Sequence, residues 1–178
     1  ATSDYAAPFR FVNGATIRNL TVAGTITTSK KFAAGIIGQA AGIVTINHCR
    51  SHVTINSSVN GDGTNGGFVG VMQSGETTIS GSLFDGSLLG QLANNNAGFV
   101  GWTTNGDSLR IENSIFAPSE VSMLGDKTFV RCNSGEHPAI TNSFYTEIFG
   151  DVQGKRIYKT QEEVADNATL LHIYKDDT

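Results

Sequence analysis

Several things are scarce or missing in this chain, and each absence narrows what it can be. Proline occurs three times and cysteine twice in 178 residues. Cys49 and Cys132 are not spaced as a metal site, and no Cys-x-x-Cys occurs. No run approaches the ~18 apolar residues of a membrane-crossing helix, so no membrane insertion is expected in this segment. Neither charge dominates: 12 Lys and Arg stand against 16 Asp and Glu, for a net −4. Nucleic-acid binders ordinarily need a basic face, so the charge gives no reason to expect that partner. There is no Gly-x-Ser-x-Gly elbow, and no glycine motif opens a helix to hold phosphate. The start, Ala1-Thr2-Ser3-Asp4, lacks the charged head and apolar core of a signal peptide. It reads as a processed export product or as a piece of a longer protein.

Glycine, by contrast, is plentiful at 21 residues. Much of it belongs to a repeat. Gly35-Ile36-Ile37-Gly38, Gly67-Phe68-Val69-Gly70 and Gly98-Phe99-Val100-Gly101 begin 32 and 31 residues apart, and Thr128-Phe129-Val130-Arg131 follows 30 later as a degraded copy. A second marker keeps nearly the same period. Ile17, Ile46, Ile79, Ile111 and Ile140 are separated by 29, 33, 32 and 29 residues. Self-similarity at ~20–50 residues is the signature of a repeat architecture. Each unit holds three short β-prone runs, with β-branched and aromatic residues in the runs and Gly, Asn, Asp and Ser between them.

Three strands per ~30-residue unit predict one coil of a parallel β-solenoid. A single coil cannot bury its apolar side chains, but a stack buries a continuous core. Equivalent positions then lie ~4.8 Å apart in columns. Ile36, Phe68, Phe99 and Phe129 form one column, and the five isoleucines form another. A propeller or sandwich also has evenly spaced strands, but a propeller blade usually takes ~40–45 residues. From Asp151 the composition turns charged. Thr160-Gln161-Glu162-Glu163 fits a capping box and predicts a short helix from Gln161 to about Asp166, as a polar cap on the last coil.

The Gly-Phe-Val-Gly strand, followed by a turn and an Ile-x-Asn-Ser or Ile-x-x-Ser run, resembles the GLUG repeat of bacterial secreted and cell-surface proteins. The best matches are Gly67–Phe84 and Gly98–Phe116; Gly35–Cys49 is looser, and the fourth copy departs at Thr128 and Arg131. The resemblance covers roughly residues 11–145. It implies a right-handed parallel β-helix within a larger exported bacterial protein, and it implies no catalytic residues.

Candidate chemistry is sparse. Asp62, Asp107 and Asp126 fall in turns, where Asp serves the backbone. Asp85 and Glu112 fall near equivalent runs of adjacent coils, which makes a glycosidase-like carboxylate pair conceivable against a solvated-surface role. The turn Asn60–Gly66 offers oxygen ligands, with calcium the ion it would accept, but it lacks the acidic density and bidentate Glu of an EF-hand. His48 and His52 have a zinc spacing only on a helix, and third and fourth ligands are missing. Cys49 shares a column with Ser82, Ser114 and Ser143, a place for a small residue. Cys132 aligns with Val71 and Trp102, so the two thiols fall on different faces and stay unbonded. Trp102, Tyr145, Tyr158 and Tyr174 would stack on sugars if exposed, with packing as the default.

The whole reads as an all-β protein: a single-stranded, right-handed parallel β-helix of about five coils over residues 1–150, with a cap segment and its short helix over 151–178. The expected role is a non-enzymatic structural or adhesive module of a secreted or surface-anchored bacterial protein, needing no cofactor. It would present turns 56–66 and 91–97 to a glycan or an extracellular host protein, with neighbouring repeats stacking at its N-terminal end. Trp102, Asp85, Glu112, Asp62 and Asn95 are the candidate partner contacts. The alternative is a carbohydrate-binding or carbohydrate-cleaving β-helix, in which acidic residues and an aromatic converge along one groove.

Overall fold

A computed structural model describes residues 1–157. The helix expected over Gln161–Asp166, Tyr158 and Tyr174 lie outside the described residues.

The chain winds through about five coils of parallel strands. The first coil holds β1 (Phe9–Arg18) and β2 (Thr21–Thr28), and the second holds β3 (Ile37–Asn47), β4 (Arg50–Ser57) and β5 (Gly61–Asp62). In the third coil the long strands break in two: β6 (Val69–Met72) and β7 (Glu76–Ser80) both pair with β3, while β8 (Leu83–Phe84) and β9 (Ser87–Leu89) both pair with β4. That coil ends in β10 (Ala93–Asn94) and β11 (Asn96–Ala97). The fourth holds β12 (Val100–Thr103), β13 (Leu109–Glu112), β14 (Ile115–Phe116), β15 (Glu120–Val121) and β16 (Gly125–Lys127). The fifth holds β17 (Val130–Cys132), β18 (Ala139–Thr141) and β19 (Phe144–Tyr145), and a final β20 (Lys155–Arg156) pairs beneath β19. Two eight-stranded parallel sheets face each other across the core, and the short turn strands close the third side.

Both expected columns exist. Ile17, Ile46, Ile79, Ile111 and Ile140 are register partners from coil to coil. The Phe68 and Phe99 rings stack at 4.7 Å, and Phe99 meets Phe129 at 5.0 Å. A third column, Phe84, Phe116 and Phe149, stacks at 5.6 and 5.7 Å. All six rings are 0–2% exposed. Full burial of such a side chain contributes about 1.5–3 kcal/mol, and each offset ring pair about 0.5–1.5 kcal/mol more.

The corner between the two sheets also has its column. Asn19, His48, Gly81, Asn113 and Asn142 all turn through positive φ, between 44° and 55°. Asn tolerates this region because its short amide bonds locally, and Gly because it has no Cβ. The next residue points inward. There the hydroxyls of Ser82, Ser114 and Ser143 accept the N–H of Cys49, Ser82 and Ser114 in turn, at 3.1, 3.2 and 3.3 Å. Cys49 is buried at the head of this ladder, which is why a small residue belongs there. Cys49 and Cys132 form no disulfide.

Gly35, Gly67 and Gly98 open the repeated strand because the next coil leaves no space for more. A Cβ on Gly67 would lie 2.3 Å from the Gly98 carbonyl oxygen, and one on Gly98 would lie 2.1 Å from that of Thr128. The fourth copy carries Thr128 instead, and there the chain above has changed. The Thr128 N–H and hydroxyl both donate to the Asp151 carbonyl, at 3.0 and 3.1 Å. Arg131 is admitted by a register shift between Val100 and Thr103 in the β12–β17 pairing. That shift pairs Cys132 with Thr103, so it does not share the column of Val71 and Trp102 that the repeat alignment predicts.

The last turn is a short cut. Phe144 and Lys155 are register partners only eleven residues apart. Among the described residues no full coil therefore lies beyond β17, and one side chain takes its place. At three successive junctions a Phe carbonyl accepts two N–H groups from the coil before: Phe68 from Ile36 and Ile37, Phe99 from Phe68 and Val69, Phe129 from Phe99 and Val100. For Phe129 and Val130 the acceptor is Gln153 Oε1, at 3.0 and 2.7 Å, and Gln153 Nε2 returns a bond to the Val130 carbonyl at 3.0 Å. A single amide side chain thus stands in for the missing backbone.

Candidate functional site

On the third side, successive turns form a polar ladder. Its centre is Asp62 on β5, which lies beside β10. Its carboxylate accepts from Lys31 Nζ and from Thr64 Oγ1, both at 2.5 Å, and from the Asn95 amide. Burial pushes the Asp62 carboxyl up, but the bonds from Lys31, Thr64 and Asn95, with the Lys31 charge, together hold it below its ordinary value of 3.8. Thr64 and Asn95 both adopt positive φ, at 47° and 59°. Just inside, Asn65 and Asn96 are fully buried. Asn65 Oδ1 accepts the Ala33 N–H at 3.1 Å, Asn96 Oδ1 accepts the Asn65 N–H at 2.9 Å, and Asn96 Nδ2 donates to the Leu124 carbonyl at 3.1 Å. Every turn on this side is tied to the turn above or below it. The place a cation would take beside Asp62 is filled by the Lys31 ammonium.

Two of the five candidate residues, Asp62 and Asn95, are therefore brought together. Asp85 and Glu112 are not. Glu112 lies on β13 and pairs with Ser80 and Thr141, while Asp85 follows β8 in the opposite sheet. The positive-φ corner at Gly81 and Asn113 separates the two runs, so the conceivable carboxylate pair does not form. Asp85 is 3% exposed and held by Arg50, whose Nε lies 3.1 and 3.0 Å from its two oxygens. His52 Nδ1 is 3.2 Å from the same carboxylate. His48 sits at the corner, where its ring nitrogen meets Asn47, so the two histidines do not share a site. Among the described residues no group of three or more His, Cys, Asp or Glu is arranged to hold a metal ion.

Trp102 lines an open cleft of about 900 Å³ beside the last coil. Asp126, Lys127, Arg131, Glu136 and Asp151 line it too. The Arg131 guanidinium lies over the indole, 4.4 Å from its ring centroid, and 3.4 Å from Asp126 Oδ2. Lys127 pairs with Asp151, and this bond raises its amino group above the ordinary value against the opposing effect of burial. Burial pushes the Cys132 thiol up, and the Glu136 charge adds to it. Glu136 also accepts the Gly106 N–H, and Asp107 accepts the His137 N–H at 2.8 Å. An aromatic and carboxylates do converge here, but of them the sequence singles out only Trp102 and, as a turn residue, Asp126. The available signal was the departure of Arg131 from the repeat.

The fold defines a parallel β-solenoid. Comparison with protein-family models, with curated proteins and with solved structures finds no match. Among the described residues no helix is long and apolar enough to cross a membrane.

Proposed function

We propose that this chain is a non-enzymatic structural and adhesive module, a GLUG-type β-helix of a secreted or surface-anchored bacterial protein. The observation that carries the reading is the turn ladder of the third side. Lys31, Asp62, Thr64 and Asn95 are bonded to one another across coils, over buried Asn65 and Asn96. Turns held this way have already lost the freedom that binding would otherwise remove. The partner is an extracellular protein or glycan contacting turns 56–66 and 91–97. The test is a binding screen of the purified domain against extracellular-matrix proteins, mucin glycans and plant polysaccharides, with and without calcium. Saturable binding that falls tenfold or more with the Asp62→Ala, Asn95→Ala double variant is expected. Binding unchanged by that variant, or turnover of a polysaccharide, overturns the reading.

One observation favours a second reading, carbohydrate binding at the Trp102 cleft. Trp102, Asp126, Glu136 and Asp151 line one open groove, the combination of a flat apolar ring and hydroxyl acceptors that suits a sugar. Under this reading Trp102→Ala, and not the turn variant, abolishes glycan binding.

A further inference from the structure

The N-terminal face has the form of an interface with one half missing. β1 and β2 pair with β3 and β4 across nearly their whole lengths, and among the described residues no strand pairs with their other edges. Natural edge strands are usually short, charged, bulged or broken by proline. These run for ten and eight residues without a proline; β1 carries Arg10 and Arg18 and a register shift between Asn13 and Ala15, but β2, Thr21-Val22-Ala23-Gly24-Thr25-Ile26-Thr27-Thr28, pairs without a shift and has no charge at all. The interior is open as well. Val12, Ile17 and Ile26 are only half-buried, while their register partners Ala40, Ile46 and Ile55 are 0% exposed. Phe9 is 43% exposed although its partner Ile37 is in the core. A groove of about 390 Å³ lies above Ile26, between Ala6–Pro8 and Thr25–Thr27. One edge acceptor, the Thr27 carbonyl, is taken by the amino group of Ala1.

We infer that this face docks one further parallel coil of the same ~30-residue repeat, with aliphatic side chains above Val12, Ile17 and Ile26. The inference rests on the structural-module reading and names the partner of its open end. Continuity with the existing interfaces selects this occupant. Every neighbouring pair of coils is joined by parallel strands, the isoleucine column and the positive-φ corner, and a parallel repeat coil continues all three above β1, Ile17 and Asn19. A second copy packed end to end across a two-fold axis would run its strands antiparallel and break this matching.

The test inserts a second copy of residues 6–34 ahead of Ala6, a length equal to the 29-residue spacing from Ile17 to Ile46. The expected product is a monomer whose original β1 and β2 amides gain about tenfold or more protection from hydrogen exchange, with a higher unfolding midpoint. Ile17→Asp placed in the inserted copy alone removes that gain. The inference is overturned if those amides exchange as fast as before and the insert is cleaved like an unfolded segment. It is equally overturned if the parent protein sediments as a dimer with these edges already protected, which places a second copy there. Neither result touches the turn ladder, whose binding is read separately.

Discussion

At the C-terminal end of the stack, the N–H groups of Phe129 and Val130 find their acceptor in Gln153, whereas at the N-terminal end no strand among the described residues pairs with the outer edges of β1 and β2. Both ends belong to one interior column system, so the difference does not come from the core. It comes from whether a polar side chain is placed to imitate the absent coil. The same contrast explains the degraded fourth repeat. Glycine opens the strand where a coil follows at full contact and Thr128 is admitted where it does not, whereas Arg131, in the place of glycines crowded by the coil before them, is admitted by the register shift against that coil.

The sharpest way to break the comparison is at the strand-opening glycine. Gly98→Ala forces a Cβ against the Thr128 carbonyl oxygen and the Phe116 ring, and should cost about 4 kcal/mol or more by denaturant titration. Thr128→Gly, at the equivalent place in the last coil, should cost no more than about 1 kcal/mol, the scale of its side-chain hydrogen bond. Equal losses at the two positions would remove the explanation for the degraded repeat. Next in size is Phe99→Ala, expected to cost about 3–5 kcal/mol because the buried ring packs against another ring on either side, against about 0.5 kcal/mol for Phe9→Ala at the open end. Gln153→Ala should follow, with a loss of about 1–3 kcal/mol from two unpaired N–H groups. Gln153→Glu keeps the acceptor and should recover most of that loss. If Ala and Glu behave alike, Gln153 is not acting as the substitute carbonyl.

The smallest effect concerns the turn ladder. The Asp62 carboxyl is held below its ordinary value in the folded chain. Its contribution to stability is therefore fully present above the unfolded value of 3.8, and is lost as pH falls below that through the folded value. A pH series of melting curves should show this loss in the parent protein and a flatter profile in Asp62→Asn. An identical acid limb in both would mean that Lys31 and Asn95 do not stabilise the charged form.

The two interior columns, the turn positions and the coil number were legible in the sequence because they recur with the period, so each residue is confirmed by its copies. The cysteine–serine column was legible for the same reason. What occurs once was not. The Arg50–Asp85 pair, the Trp102–Arg131 stack and the Gln153 bonds join residues 23 to 35 positions apart through side chains that no other coil repeats. A one-residue register shift at β17 then moved Cys132 out of its expected column, and periodic alignment has no means of detecting such a slip. The separation of Asp85 from Glu112 was hidden for a related reason. A single left-handed residue at each corner decides which sheet a side chain joins, and counting residues from the isoleucine does not show it.

Gln153 recognises only the coil beneath it, through the carbonyl and N–H groups that every coil offers in the same form. It carries no information about how many coils came before. The object is thus built like a ruler with a fixed end-stop, each graduation adding ~4.8 Å along the axis. Deleting or duplicating one whole unit between Gly35 and Lys127 would change the reach of the stack and leave the Gln153 bonds as they are. Length becomes a quantity that gene duplication can tune without redesign, and the turns on the third side are carried to whatever distance the count of coils sets.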